Sequence, residues 1–179
     1  QELIVRYVGP GEMCALVALF PDQVYPVTAE AVAATQLLCW PRPALERVMS
    51  EHPRVALNAM RIQSERMQEL TERLREIATE RVAQRVARAL LRLARKAGRR
   101  SERGVEIDLP LSREDLARLA GTTVFTVSRL MADWEEAGLV EGGRERVVIR
   151  YPHGLVAIAE DLASRRRDDP EAAPRDRED

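Results

Sequence analysis

The stretch from Leu111 to Trp134, LSREDLARLAGTTVFTVSRLMADW, decides how this chain reads. Its apolar residues fall at helical spacing as far as Ala120, pause over Gly121, Thr122 and Thr123, and resume with Val127, Leu130, Met131 and Trp134. Two short helices therefore meet at a tight turn. Ser112 stands three residues before Asp115, a capping-box-like start that satisfies free amides of a first turn. Ala117 is small where the helices approach, and Gly121, four residues on, tolerates the positive φ of the turn, which is what a helix-turn-helix requires. With Leu116, Ala120, Val127 and Leu130 in the shared core, the second helix turns Thr123, Val124, Phe125, Ser128, Arg129 and Ala132 outward. An outward Val-Phe pair is odd on a solvated helix, but the start of a recognition helix is where apolar side chains touch thymine methyl groups. The alternative makes Phe125 an ordinary core residue.

On the C-terminal side, LVEGGRERVVIRY (139–151) reads as strand, Gly142-Gly143 turn and strand. That hairpin forms a wing with Arg144 and Arg146 placed to meet phosphates; loop arginines that merely solvate are the plain alternative. A short amphipathic helix over 155–163 follows, and the charged tail SRRRDDPEAAPRDRED is expected to stay disordered. On the N-terminal side, VEIDLPL (105–111) alternates like a strand, RRSERG is a polar loop, and ERVAQRVARALLRLARKAG presents Val82, Val86, Leu90 and Leu93 on one helical face. Gly98 reads as its C′ glycine and the arginines as its solvent side.

After His52-Pro53 the pattern is one long helix whose apolar stripe is narrow. Positions 57, 60, 64, 67, 71 and 74 alternate spacings of three and four, the seam of a two-stranded coiled coil, with Leu57, Met60, Met67 and Leu74 as its dimer contacts and Ser64 and Thr71 as weak points. A helix packed on its own domain is the alternative. Before it, QELIVRYVGPGEMCALVALF reads as short strands around a Gly-Pro-Gly turn, and PVTAEAVAATQLLCWPR alternates like a further pair. Pro41 and Pro43 end the strands near Trp40 and permit a short helix over 44–50.

With 45% apolar residues in 179, the chain can bury a real core, which excludes general disorder, and its scarce aromatics and helically spaced charges read as mainly α. A net charge of −1 argues against indiscriminate coating of nucleic acid, but it hides an asymmetry. Residues 51–100 carry 13 Lys and Arg against 6 Asp and Glu, so the long helices are basic while the rest is acidic. Cys14 and Cys39 fit neither zinc nor disulfide spacing, and as strand residues they read as inert core thiols in a reducing compartment. No membrane-spanning run and no signal-peptide pattern occur, so a cytoplasmic location with no membrane partner is expected.

These residues together resemble the CRP/FNR family of bacterial transcription regulators, from about Val8 to Asp161. The most specific motif is GTTVFTVSRLM, similar to the FNR-type recognition helix with its Val-Glu-Thr-[Val/Ile]-Ser-Arg pattern; Ser128 and Arg129 match it, and Phe125 stands where a base-reading Glu is usual. ERVAQRVARALLRLA and VRYVGPGEMCALVALF are supporting matches. The resemblance implies an α+β, mainly α fold: a partial β-roll sensor and short helix (1–52), a dimerisation helix (53–78), a C-terminal winged helix-turn-helix (79–164) and a disordered tail (165–179). It implies a homodimer that binds double-stranded DNA at an inverted-repeat operator through Arg113, Thr122, Thr123, Val124, Phe125, Thr126, Ser128, Arg129, Arg144 and Arg146. RNA polymerase is an implied partner, through the loop around Arg99 to Arg103.

The family's β-roll needs about twice the strand region present, which implies that upstream sensor strands are missing. Family members that bind cyclic nucleotides hold the ribose with a Gly-Glu pair and the phosphate with an Arg-Ser/Thr pair. Aligned with them stand Ala15-Leu16 and Tyr25-Pro26, which leave a buried phosphate without charge-assisted partners. Two cysteines are too few for an iron–sulfur cluster, and His52 and His153 read as surface residues, so no metal or cofactor is expected and the effector is an unknown small molecule or redox signal. A protein-interaction module built from the same parts is the alternative function. No nucleophile elbow, phosphate loop or metal-spaced His pair supports an enzyme.

Overall fold

The computed structural model describes residues 3–14, 16–19 and 24–162, and the charged tail lies outside them. The chain divides into two compact units, Val8–Thr79 and Glu80 onward together with the first seven residues.

In the first unit a 3₁₀ turn, Leu16–Leu19, precedes α1, Arg42–Glu51, and α2, Pro53–Thr79. Pro41 and Pro43 open α1, where a missing amide proton costs nothing, and His52 caps it by donating its backbone N–H to the Val48 carbonyl. α1 packs on α2 and on the 3₁₀ turn, burying Leu16 and Ala59, while Arg66 of α2 donates to the Met13 carbonyl. Ion pairs Arg42–Glu46, Arg61–Glu65 and Glu72–Arg75 brace the helices at spacings of three and four.

The strands expected before Trp40 do not form among the described residues of this unit. The alternating segment over 24–40 runs without a hydrogen-bonded ladder, and Val24, Leu37, Leu38 and Trp40 are exposed. Alternation marks a residue's side of a sheet, but only a paired neighbour satisfies the backbone, and no described residue pairs with this segment. Cys14 and Cys39 are accordingly exposed rather than in a core.

In the second unit α3, Val82–Ala97, leads into a four-stranded antiparallel sheet of order β1-β2-β4-β3, made by Gly98–Ser101, Gly104–Ile107, Val140–Gly143 and Arg146–Ile149. Between β2 and β3 lie α4, Arg113–Ala120, and α5, Val124–Glu136; α6, Pro152–Ala159, closes the unit against α3. The register sets Val105 and Val140 on either side of Ile149. One core joins these elements: Val86, Leu90 and Leu93 of α3, Leu116 of α4, Val127, Met131 and Trp134 of α5, the inward sheet residues and Leu155 of α6, with Ile4 and Tyr7 packed against it. Burying such side chains is worth about 1.5–3 kcal/mol each.

Four local expectations are corrected. Gly98 has an extended φ of −85° and begins β1, so the polar loop 99–103 is a β1–β2 hairpin and not a helix-capping turn. In the wing Gly142 and Gly143 belong to β3, and the turn is Arg144-Glu145, with Glu145 at a φ of +54°. The arginines of α3 are not all solvated: Arg88 pairs with Glu80 and Glu160, and Arg85 reaches the helix-turn-helix. The final helix runs over Pro152–Ala159 rather than 155–163, because Pro152 is suited to its first turn.

Candidate nucleic-acid interface

Ser112 starts α4: its Oγ accepts the Asp115 N–H at 3.0 Å, and the Asp115 carboxylate accepts from the Ser112 backbone N–H at 3.0 Å and hydroxyl at 2.6 Å. Gly121 ends it at φ +61°, ψ +50°, a left-handed cap that any side chain would strain. Thr123 then caps α5, its Oγ1 accepting the Thr126 N–H at 3.2 Å and lying 2.9 Å from the Thr126 hydroxyl. The Thr122 N–H donates to the Ala117 carbonyl at 3.0 Å and fixes the intervening turn.

Arg85 pins this turn from below. Its Nε donates to the Ala120 carbonyl at 2.9 Å, Nη2 to the Gly121 carbonyl at 3.3 Å and Nη1 to the Glu80 carbonyl at 2.8 Å. The last carbonyls of α4 lack intrahelical donors and carry the negative end of its dipole, so a guanidinium here satisfies both. Sequence reasoning missed this role. The signal was available, since position 85 flanks the apolar stripe through Val82 and Ala89 instead of lying opposite it.

The outer face of α5 is fully presented. Phe125 is 77% exposed and Val124 44%, which excludes the core alternative for Phe125, and Ser128, Arg129 and Ala132 are exposed beside them. No acidic residue lies in the first turn of α5. Among the described residues Arg129 and Arg144 carry no hydrogen bond or ion pair.

Two other sequence-selected arginines are engaged within the protein. Arg146 of β4 pairs with Glu106 of β2 at 2.7 Å. Arg113, at the start of α4, pairs with Glu135, at the end of α5, at 2.6 Å, and its buried Nη1 has no partner among the described residues. A Cβ on Gly142 would strike both partners of that pair, so the glycine is there to let β3 pass across it. The Leu111 N–H adds a 3.1 Å bond to the Glu145 carbonyl, so the start of α4 and the end of α5 together hold the wing.

Tyr7 docks on the same unit. Its phenol is pushed up to about 12, by burial first and by the Asp115 carboxylate second, with the Arg118 guanidinium opposing both.

In the other unit Leu57, Met60, Met67 and Leu74 are each 64–69% exposed along α2, with Ser64 and Thr71 exposed between them and Thr71 Oγ1 bonded back to the Met67 carbonyl at 2.9 Å. The positions aligned with a cyclic nucleotide's contacts do not fit that ligand: Leu16 is a buried apolar side chain, and Tyr25 and Pro26 are exposed, with no guanidinium and, at Pro26, no N–H. Ala15 lies outside the described residues. No group of three or more His, Cys, Asp or Glu that could hold a metal occurs among the described residues, and no helix among them is long and apolar enough to cross a membrane.

Comparison with known proteins places two family profiles on the chain: the Crp-like helix-turn-helix domain over residues 84–158 and the cyclic nucleotide-binding domain over residues 1–52. The transcriptional activator protein FnrA of Stutzerimonas stutzeri is 28% identical over 166 residues, covering 89% of this chain and 65% of that protein. The global nitrogen regulator of Synechocystis is 27% identical over 157 residues, covering 87% of this chain and 70% of that protein. A solved CRP/FNR-family transcriptional regulator from Thermus thermophilus superposes with a TM-score of 0.55 at 25% identity, over 60% of this chain and 55% of that one. The chain thus spans a little over half to about two thirds of the length of the proteins it matches.

Proposed function

The chain belongs to the CRP/FNR family of transcription regulators, and from that premise we propose that it binds double-stranded DNA as a homodimer, sequence-specifically, at an inverted-repeat operator. The observation that carries the reading is the outer face of α5, where an unpaired Arg129 stands one turn beyond an exposed Phe125 on a helix whose opposite face is wholly core. In the major groove Arg129 donates two hydrogen bonds to guanine O6 and N7, and Val124, Phe125 and Ser128 lie against neighbouring base edges. Thr122, Thr123 and Thr126 at the helix start and Arg144 at the wing tip hold phosphates. Arg113 and Arg146 join them by exchanging Glu135 and Glu106 for phosphate.

The dimer forms through the α2 seam of Leu57, Met60, Met67 and Leu74. In this reading residues 1–52 belong to the sensor, 53–78 to the dimer helix and 79–164 to the DNA reader, and the protein works in the cytoplasm beside RNA polymerase. The effector is a small molecule or redox signal other than a cyclic nucleotide, because Tyr25-Pro26 cannot neutralise a cyclic phosphate. Selection from a random-sequence duplex pool, with sequencing of the retained DNA, tests the proposal. An inverted repeat with one guanine per half-site protected by Arg129 is expected; retention without sequence preference, or none at all, contradicts it.

A further inference from the structure

We propose that Phe125 sets the operator sequence: its ring packs against the 5-methyl group of one thymine in each half-site, one or two base steps from the guanine read by Arg129. The inference rests on the DNA-binding reading above and names what the same face selects.

The first turn of α5 offers a base edge very little else. Its two threonine hydroxyls are bonded to each other, no carboxylate is present to accept from a cytosine or adenine amino group, and Val124 is short. Phe125 projects furthest, and at 77% exposure its ring loses water only if a partner covers it. In the major groove the apolar feature of a base pair is the thymine methyl. Burying the ring there stabilises the complex at thymine alone, since cytosine leaves a gap and each purine presents polar atoms to the ring. The cation Arg129, one turn along the same face, suits a polyanion better than an apolar protein surface.

Spacing follows from the helix. Phe125 and Arg129 are four residues apart on one face, about 6 Å along the axis, and successive bases of a strand are about 3.4 Å apart. The thymine and the guanine must therefore be neighbours or next-but-one neighbours.

The test uses the duplex selected from the random pool, with each thymine in turn replaced by deoxyuridine, which deletes the methyl group and keeps every hydrogen-bonding atom. For the parent protein one thymine per half-site should be sensitive, with affinity falling roughly four-fold per methyl lost, as for burial of one methylene-sized group. Phe125→Ala should bind more weakly and be indifferent to that substitution, Phe125→Leu should keep part of the discrimination, and neither should lower the melting temperature. A parent indifferent to deoxyuridine at every position, discrimination retained in Phe125→Ala, or unfolding of both variants overturns the proposal. Failure of the parent to retain any duplex overturns the DNA-binding reading instead, a distinct outcome, since methyl indifference leaves retention intact.

Discussion

Arg129 and Arg144 are both exposed and unpaired among the described residues, yet their positions assign them different work. Arg129 stands mid-face on α5 and Arg144 at the tip of the β3–β4 turn; in the proposed complex the first meets a base edge and the second the sugar-phosphate backbone. Arg129→Ala should cost about 1–3 kcal/mol at the selected operator and flatten the preference at one guanine per half-site. Arg144→Ala should weaken all sequences alike and reduce the salt slope of binding by about one. Titrations at several salt concentrations on selected and scrambled duplexes separate the two. Arg85 touches no DNA in this account, but it holds three backbone carbonyls at once; Arg85→Ala should cost about 1.5–3 kcal/mol in denaturant unfolding, with little recovered by a lysine that cannot span all three. Tyr7 gives a pH signature. Its phenol is raised from 10.0 to about 12, so the fold favours the protonated form; the associated stability is complete below pH 10 and lost between pH 10 and 12. Unfolding midpoints of Tyr7→Phe should therefore fall less over that window than those of the parent, and equal falls would mean the phenol is not protected by burial.

Among the elements, α2 makes the plainest claim. Four large apolar side chains, Leu57, Met60, Met67 and Leu74, lie on a seam of alternating three and four whose other positions are Ser64 and Thr71, and each is mostly in water. A carboxylate at its centre must disrupt a paired seam, so Met67→Glu should halve the sedimenting mass at micromolar concentration, whereas a mass unchanged by the substitution removes the seam. This helix, the helix-turn-helix and the hairpin after it were legible in the sequence because each carries its own period and a nearby boundary residue: Pro53 at the start of α2, Gly121 after α4, and for the hairpin glycines that lie next to its turn. What was not legible depended on distant partners. Gly142 and Gly143 resemble a turn, but Gly142 is needed for the passage of β3 over the Arg113–Glu135 pair, which leaves the turn to Arg144-Glu145. RRSERG looks like a linker until β2 pairs with it. Arg113, Arg146 and Arg85 look equally solvated in a sequence, and only the fold reveals Glu135, Glu106 and a helix end opposite them. The alternating segment over 24–40 shows the converse, a clear period whose ladder has no partner strand among the described residues.

At the scale of the whole molecule the proposed function is a matter of symmetry. In the proposed dimer two chains joined along α2 share a two-fold axis, and a two-fold pair of recognition helices reads half-sites in successive major grooves about 34 Å apart on DNA that shares the axis. Inserting base pairs between half-sites rotates one relative to the other about the duplex axis: about five turn it roughly half a revolution away, and about ten restore the face at a greater distance. The measurement is the affinity of the parent protein for the selected operator, for the same operator with about half a helical turn of base pairs inserted at its centre, and for a duplex carrying one half-site. The intact operator should bind two chains, at least about a hundred-fold more tightly than either altered duplex, and the two altered duplexes should resemble each other. Equal affinity for all three, or one chain per intact operator, would contradict the proposed function.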